Sequence, residues 1–137
     1  MTFPDFVIVI PQQVLLIHDE QVKLHGGSLG VRDWNMFESA CLQPYASFAG
    51  RDLYPNIFFK AAAFIRSMIK DHPFVDGNKR TSITGAQTML ELNGYKFIGK
   101  RKETYNLLLA VANKNLPVDE IAAWLKKHTK NVSKHLI

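Results

Sequence analysis

With a single cysteine, Cys41, the chain can form no disulfide within itself, which fits a reducing compartment. That thiol has little support as a nucleophile, because in MFESACLQP the apolar spacing is helical and makes it a small core side chain. Long apolar runs are missing too. The opening MTFPDFVIVIPQQVLLI has no cationic start, carries Asp5 before its apolar stretch and is interrupted by Pro11, Gln12 and Gln13. It reads as neither a signal peptide nor a membrane span, so a cytoplasmic protein with no membrane role is expected. Internal repeats, low-complexity tracts, interdomain linkers and zinc-finger spacings are also absent. His18 and His25 lack the i, i+4 spacing of a helical metal pair and are read as packing or solvent-facing side chains. At 137 residues, 47% hydrophobic and 21% charged, residues 1–137 read as one globular domain able to bury a single core.

Acidic residues are scarce toward the C-terminus. From Lys96 onward nine Lys or Arg residues face three acids, within a formal net charge of +5. A basic end of this kind is ordinarily a solvated helical face, and no aromatic platform is interleaved with it, so nucleic acid is not the expected partner. A non-catalytic basic module binding nucleic acid or protein is carried as an alternative.

Hydrophobic periodicity predicts a mostly helical chain. Phe6 to Ile10 form a short β-branched run compatible with a strand. A helix follows over 12–25, with Val14, Leu15, Ile17, His18, Val22 and Leu24 near one face, and Gly26 and Gly27 end it. Further helices are expected over 33–42, 56–70, 79–93, 103–113 and 118–128, with a short strand at 95–98. Gln43 to Tyr54 has turn residues and scattered aromatics without helical period. Arg66 falls between the apolar rows and reads as solvated.

The most informative stretch is DHPFVDGNKRT, Asp71 to Thr81. Proline at 73 disfavours α geometry at His72, so the incoming helix should end by Asp71 and leave the imidazole on a loop. Gly77 permits positive φ and Asn78 caps or enters the next helix. Lys79 and Arg80 then fall in that helix's first turn, where the macrodipole disfavours cations unless an anion is present. Free N–H groups, a glycine turn and two cations make a phosphate site. Asp76 supplies a hard oxygen for Mg2+, and His72 can take a proton from a hydroxyl attacking phosphorus. Phosphoryl or nucleotidyl transfer follows. A P-loop is excluded: the first glycine of Gly-x-x-x-x-Gly-Lys-Ser/Thr is missing, Lys79 does not follow Gly77 directly, and the preceding segment is helical.

HPFVDGNKR resembles the His-x-Phe-x-Asp/Glu-Gly-Asn-x-Arg signature of Fic-domain proteins, and the lysine before the arginine resembles the death-on-curing (Doc) branch. GGSLGVRDWNMFESACLQP, LYPNIFFKAAA and LELNGYKF are similar to that branch as well, so the likeness covers roughly residues 14 to 98. It implies an all-α Fic/Doc-type helical bundle, with a short β-hairpin flap at 43–54 that positions the target's backbone. It also implies His72 as the base, Phe74 as loop anchor, Asp76 holding Mg2+, Gly77 and Asn78 as the anion-binding turn, and Lys79 and Arg80 at the phosphates of ATP. Lysine at 79, where AMP-transferring relatives carry glycine, implies transfer of the terminal phosphate to a Ser or Thr hydroxyl, with translation elongation factor Tu as the expected target. Gly77 matches the AMP-transferring relatives, which keeps AMP transfer as the alternative. No Ser/Thr-x-x-x-Glu-Gly/Asn inhibitory motif occurs, so restraint is expected from an antitoxin protein.

Overall fold

The computed structural model describes residues 6–132. Six α-helices form the body: α1 (Pro11–His25), α2 (Trp34–Leu42), α3 (Ile57–Asp71), α4 (Asn78–Leu92), α5 (Arg101–Lys114) and α6 (Val118–Lys127). A 3-10 turn (Gln43–Tyr45) follows α2. Strands β1 (Ser47–Phe48) and β2 (Arg51–Asp52) pair antiparallel, as do β3 (Tyr95–Phe97) and β4 (Thr129–Asn131). The expected mostly helical architecture, including a short hairpin inside 43–54, is therefore present.

Local chemistry explains the helix starts. Asp33 accepts the Met36 N–H at 3.0 Å, and Asn56 accepts from both Phe58 and Phe59 at 3.0 Å, so each satisfies orphan donors of the first turn. Helix α5 starts at Arg101, two residues before the expected Glu103, because the Glu103 carboxylate reaches back to the Lys100 N–H at 2.9 Å. Residues 6–10 do not form the expected strand. Their main chain is sewn down by side chains instead: Asn93 exchanges two hydrogen bonds with Val7, and the Tyr45 hydroxyl accepts the Val9 N–H at 2.9 Å. The apolar face of α1 is also narrower than its sequence suggests. Val14 and His18 are buried, whereas Leu24 is exposed.

Helix α3 lies at the centre, packed on α4 along their lengths and touching α2, α5 and α6. Ala61, Ala62 and Ala63 are buried and leave the neighbouring backbones room to approach, while Phe64, Ile65 and Met68 fill the core. Arg66 is not merely solvated: it donates to Leu116 O at 3.2 Å and Asn115 Oδ1 at 2.9 Å, which fixes the α5–α6 turn. Lys60 is fully buried. Its ammonium meets Tyr54 O at 2.7 Å, Asp52 Oδ2 at 3.2 Å and Pro44 O at 3.4 Å, so an interior helix position grips the root of the β1–β2 hairpin. The hairpin tip stays free, with Phe48 exposed. Among the described residues, no helix is long and apolar enough to cross a membrane.

Candidate active site

Helix α3 ends at Asp71 and α4 begins at Asn78, so residues 72–77 form the loop between two packed helices. His72 is the C-cap. Its backbone adopts φ 52°, ψ 54°, not the extended geometry that a following proline favours. A non-glycine residue in this left-handed region costs about 1–2 kcal/mol and persists only where surrounding contacts impose it. Here Arg32 imposes it, donating from Nε to His72 O at 2.7 Å and from Nη2 to Asp71 O at 2.9 Å. These are carbonyls the helix end would otherwise leave unpaired.

The rest of the loop is held by strand-like pairing with residues 30–33. The Arg32 and Asp33 N–H groups donate to Pro73 O, Val75 N–H donates to Gly30 O at 3.1 Å, and Val31 bridges Phe74 antiparallel. Phe74 is fully buried against Phe37 and the His18 ring, as an anchor should be. Asp71 sits half-buried at the dipole-disfavoured end of α3; burial raises its carboxyl above the ordinary range, and Arg66 opposes this.

The six residues picked out from the sequence line one pocket of about 310 Å3: His72, Asp76, Gly77, Asn78, Lys79 and Arg80. His72 Nδ1 lies 3.4 Å from Ile69 O. A carbonyl can only accept, so this contact puts the proton on Nδ1 and leaves Nε2 as the basic nitrogen. Opposite it, Gly77 takes φ 79° as N-cap of α4 with no side-chain cap, and the first main-chain bond of the helix is Thr81 N–H to Gly77 O. The N–H groups of residues 78–80 are thus the helix's open donors, and Lys79 and Arg80 add positive charge beside them. No acid lies in that turn to offset it.

Asn78 joins the turn through its backbone, while its side chain turns inward. Its side chain is buried and forms a closed pair with the Phe74 main chain, accepting at 2.9 Å and donating at 3.0 Å. Only its backbone N–H is available to an anion; the amide itself holds the loop. Asp76 keeps its carboxylate at the pocket, with Oδ1 taking the Gly77 N–H at 2.9 Å and Oδ2 the Ser28 N–H at 3.3 Å. Gly27 makes that approach possible, since a Cβ there would stand 2.7 Å from Asp76 Oδ2. Among the described residues, no three His, Cys, Asp or Glu side chains gather to hold a metal. One carboxylate beside an anion site suits a hard cation that completes its shell with phosphate oxygens and water.

Comparison with known proteins gives the family. The Fic/DOC family model matches residues 9–90. A toxin named Doc from Mycolicibacterium smegmatis is 40% identical over 104 residues, covering 73% of this chain and 78% of the relative. The chain belongs to the Fic/DOC family. A second relative, named protein kinase doc, from Escherichia phage P1, is 24% identical over 119 residues, covering 87% of this chain and 93% of its own.

The sequence reading of this Fic/DOC chain missed the residues that hold the loop from outside. Arg32 carries no signal in the local pattern, and His18 reads there as a packing or solvent-facing side chain. Both act across 40 or more positions, Arg32 on His72 and His18 on Asp76, and no local pattern encodes that. The pocket is also not isolated. A second hollow of about 350 Å3 adjoins it across Arg80, with Phe97, Tyr105, Arg101 and Gln87 among its walls.

Proposed function

We propose that this chain is the toxin of a toxin–antitoxin pair and transfers the terminal phosphate of ATP to a Ser or Thr hydroxyl of a protein, with translation elongation factor Tu as the target. The observation that carries the reading is the single pocket that sets His72 against the uncapped N-terminus of α4. The names of the two relatives, a toxin and a protein kinase, point the same way.

In this reading the target hydroxyl approaches past the hairpin and gives its proton to His72 Nε2 as its oxygen attacks the γ-phosphorus. The bond from that phosphorus to the β–γ bridging oxygen breaks, ADP leaves, and His72 later releases the proton to water. The N–H groups of residues 78–80, with Lys79 and Arg80, neutralise charge on the phosphoryl oxygens. Asp76 would hold Mg2+, which when bound offsets the phosphates' negative charge. The hollow beyond Arg80, with Phe97 and Tyr105 in its walls, takes the nucleoside. Removing the His72 imidazole should lower turnover by roughly two to four orders of magnitude. Transfer of AMP is the second reading, favoured by glycine at 77.

The deciding experiment treats a cytosolic extract with ATP labelled at either the α or the γ phosphate, plus Mg2+, comparing wild type with His72→Ala. His72-dependent label from γ alone is expected on a protein of elongation factor Tu mass. Label from α would make the chain an AMP transferase, and label from neither would refute both transfers. In cells, expression alone should slow growth and a co-encoded antitoxin should relieve it.

A further inference from the structure

His18 belongs to no part of the site as read from sequence, yet it is buried directly beneath it. Only 1% of the residue is exposed. Its ring stacks on Phe74 with centroids 3.7 Å apart and planes within 5°, and Nε2 lies 2.7 Å from the main-chain oxygen of Asp76. A carbonyl oxygen has no proton to give, so Nε2 carries the hydrogen and donates it.

The Asp76–Gly77 peptide is trans and planar, and its C=O and N–H therefore point in opposite directions. Turning the oxygen toward His18 turns the Gly77 N–H the other way, where it donates to Asp76 Oδ1 at 2.9 Å. The ring also forms the floor of the turn: a Cβ on Gly77 would sit 3.4 Å from His18 Nε2. From imidazole to peptide plane to N–H to carboxylate, each link sets the orientation of the next. The other N–H on that carboxylate, from Ser28, is longer at 3.3 Å.

We propose that His18 is a positioning residue that orients the Asp76 carboxylate toward a nucleotide-bound divalent cation by fixing the Asp76–Gly77 peptide plane. The inference rests on the reading above, in which Asp76 holds the cation. A purely packing role would need only the ring, which phenylalanine reproduces. The positioning role needs the N–H donor, whose place glutamine's amide nitrogen can take without the stacked ring.

The test is binding of ATP to the full chain, with and without Mn2+ as a spectroscopic stand-in for Mg2+, in wild type, His18→Phe and His18→Gln, with unfolding temperatures recorded for each. His18→Phe should lose about tenfold in the Mn2+-dependent gain in ATP affinity, as when a partner orienting a metal ligand is removed. Its metal-free ATP affinity should stay within about twofold of wild type, because the α4 donors are untouched. His18→Gln should keep most of the metal-dependent gain despite a lower unfolding temperature. A full gain in folded His18→Phe overturns the proposal, and so does loss of the gain in folded His18→Gln, which stands as the test if His18→Phe does not fold. If wild type itself gains nothing from Mn2+, the reading of Asp76 falls and this inference falls with it.

Discussion

Replacing Lys60 by methionine isolates what the buried ammonium does, since the two side chains are of similar length and the stem's packing survives. Three oxygens lose a charged donor: Tyr54 O at 2.7 Å, Asp52 Oδ2 at 3.2 Å and Pro44 O at 3.4 Å. Hydrogen bonds to a charged group contribute roughly 1.5–3 kcal/mol each, and the longest of the three contributes least. Against this, a buried ammonium no longer has to be stripped of water, and Asp52, half exposed, recovers its hydration. The balance is a loss of about 2 kcal/mol, concentrated on the hairpin root because all three oxygens lie between residues 44 and 54. Amide hydrogen exchange reads this locally. The Leu53 N–H, bonded to Ala46 O at 3.0 Å, should exchange about 30-fold faster relative to core amides of α3 and α4, taking about 1.4 kcal/mol per tenfold. Unchanged Leu53 exchange, or an equal acceleration everywhere, would refute the argument that Lys60 holds the hairpin.

Thr81 is fully buried, and its hydroxyl is, among the described residues, the one buried side-chain oxygen or nitrogen without a hydrogen-bond partner. Thr81→Val, nearly the same shape, should stabilise by about 1–2 kcal/mol and raise the unfolding temperature by roughly 3–6 °C; a lower temperature would reveal a hydroxyl partner. Burial, reinforced by Glu38, pushes the Cys41 thiol up to about 12. A disulfide reagent at pH 8 should therefore leave the native protein unlabelled and modify it only after guanidinium, and rapid native labelling would contradict this. The Glu103 carboxyl is held below its ordinary 4.5, first by the Lys100 N–H and further by His128. Its contribution to stability is therefore present above pH 4.5 and lost as pH falls through the lowered value. Glu103→Gln should unfold at a lower temperature than wild type at neutral pH, with the gap closing in acid; a gap that persists there would sink the assignment.

Much of the candidate pocket was legible because its lining is contiguous. His72, Asp76, Gly77, Lys79 and Arg80 lie within nine positions, and the signals that place them are local: a proline that ends a helix, a glycine that turns the chain, a first turn with the wrong charge for its dipole. The long helices were legible for the same reason, through apolar repeats of three and four. What failed depended on distant partners. Residues 6–10 have the composition of a strand, but the groups facing them are the side chains of Asn93 and Tyr45. The grip of Lys60 on the hairpin has no signal in the sequence, because the carbonyls it meets come over it only in the fold. Strand β4, Thr-Lys-Asn, has no alternating apolar pattern, and its pairing with β3 is visible only in three dimensions.

The clamp of Arg32 on the end of α3, with residues 30–33 paired to the loop, separates chemistry from geometry along the chain. A piece running from α3 through α4 would contain every side chain lining the pocket and none of the contacts that hold His72 in its left-handed backbone. On the toxin reading proposed above, selection for loss of toxicity should therefore recover substitutions at Gly27, Arg32 and the residues paired with the loop, as well as in the motif itself. In a genetic map the harmless variants would fall into two separated clusters, and only the second would coincide with the signature by which the family is recognised.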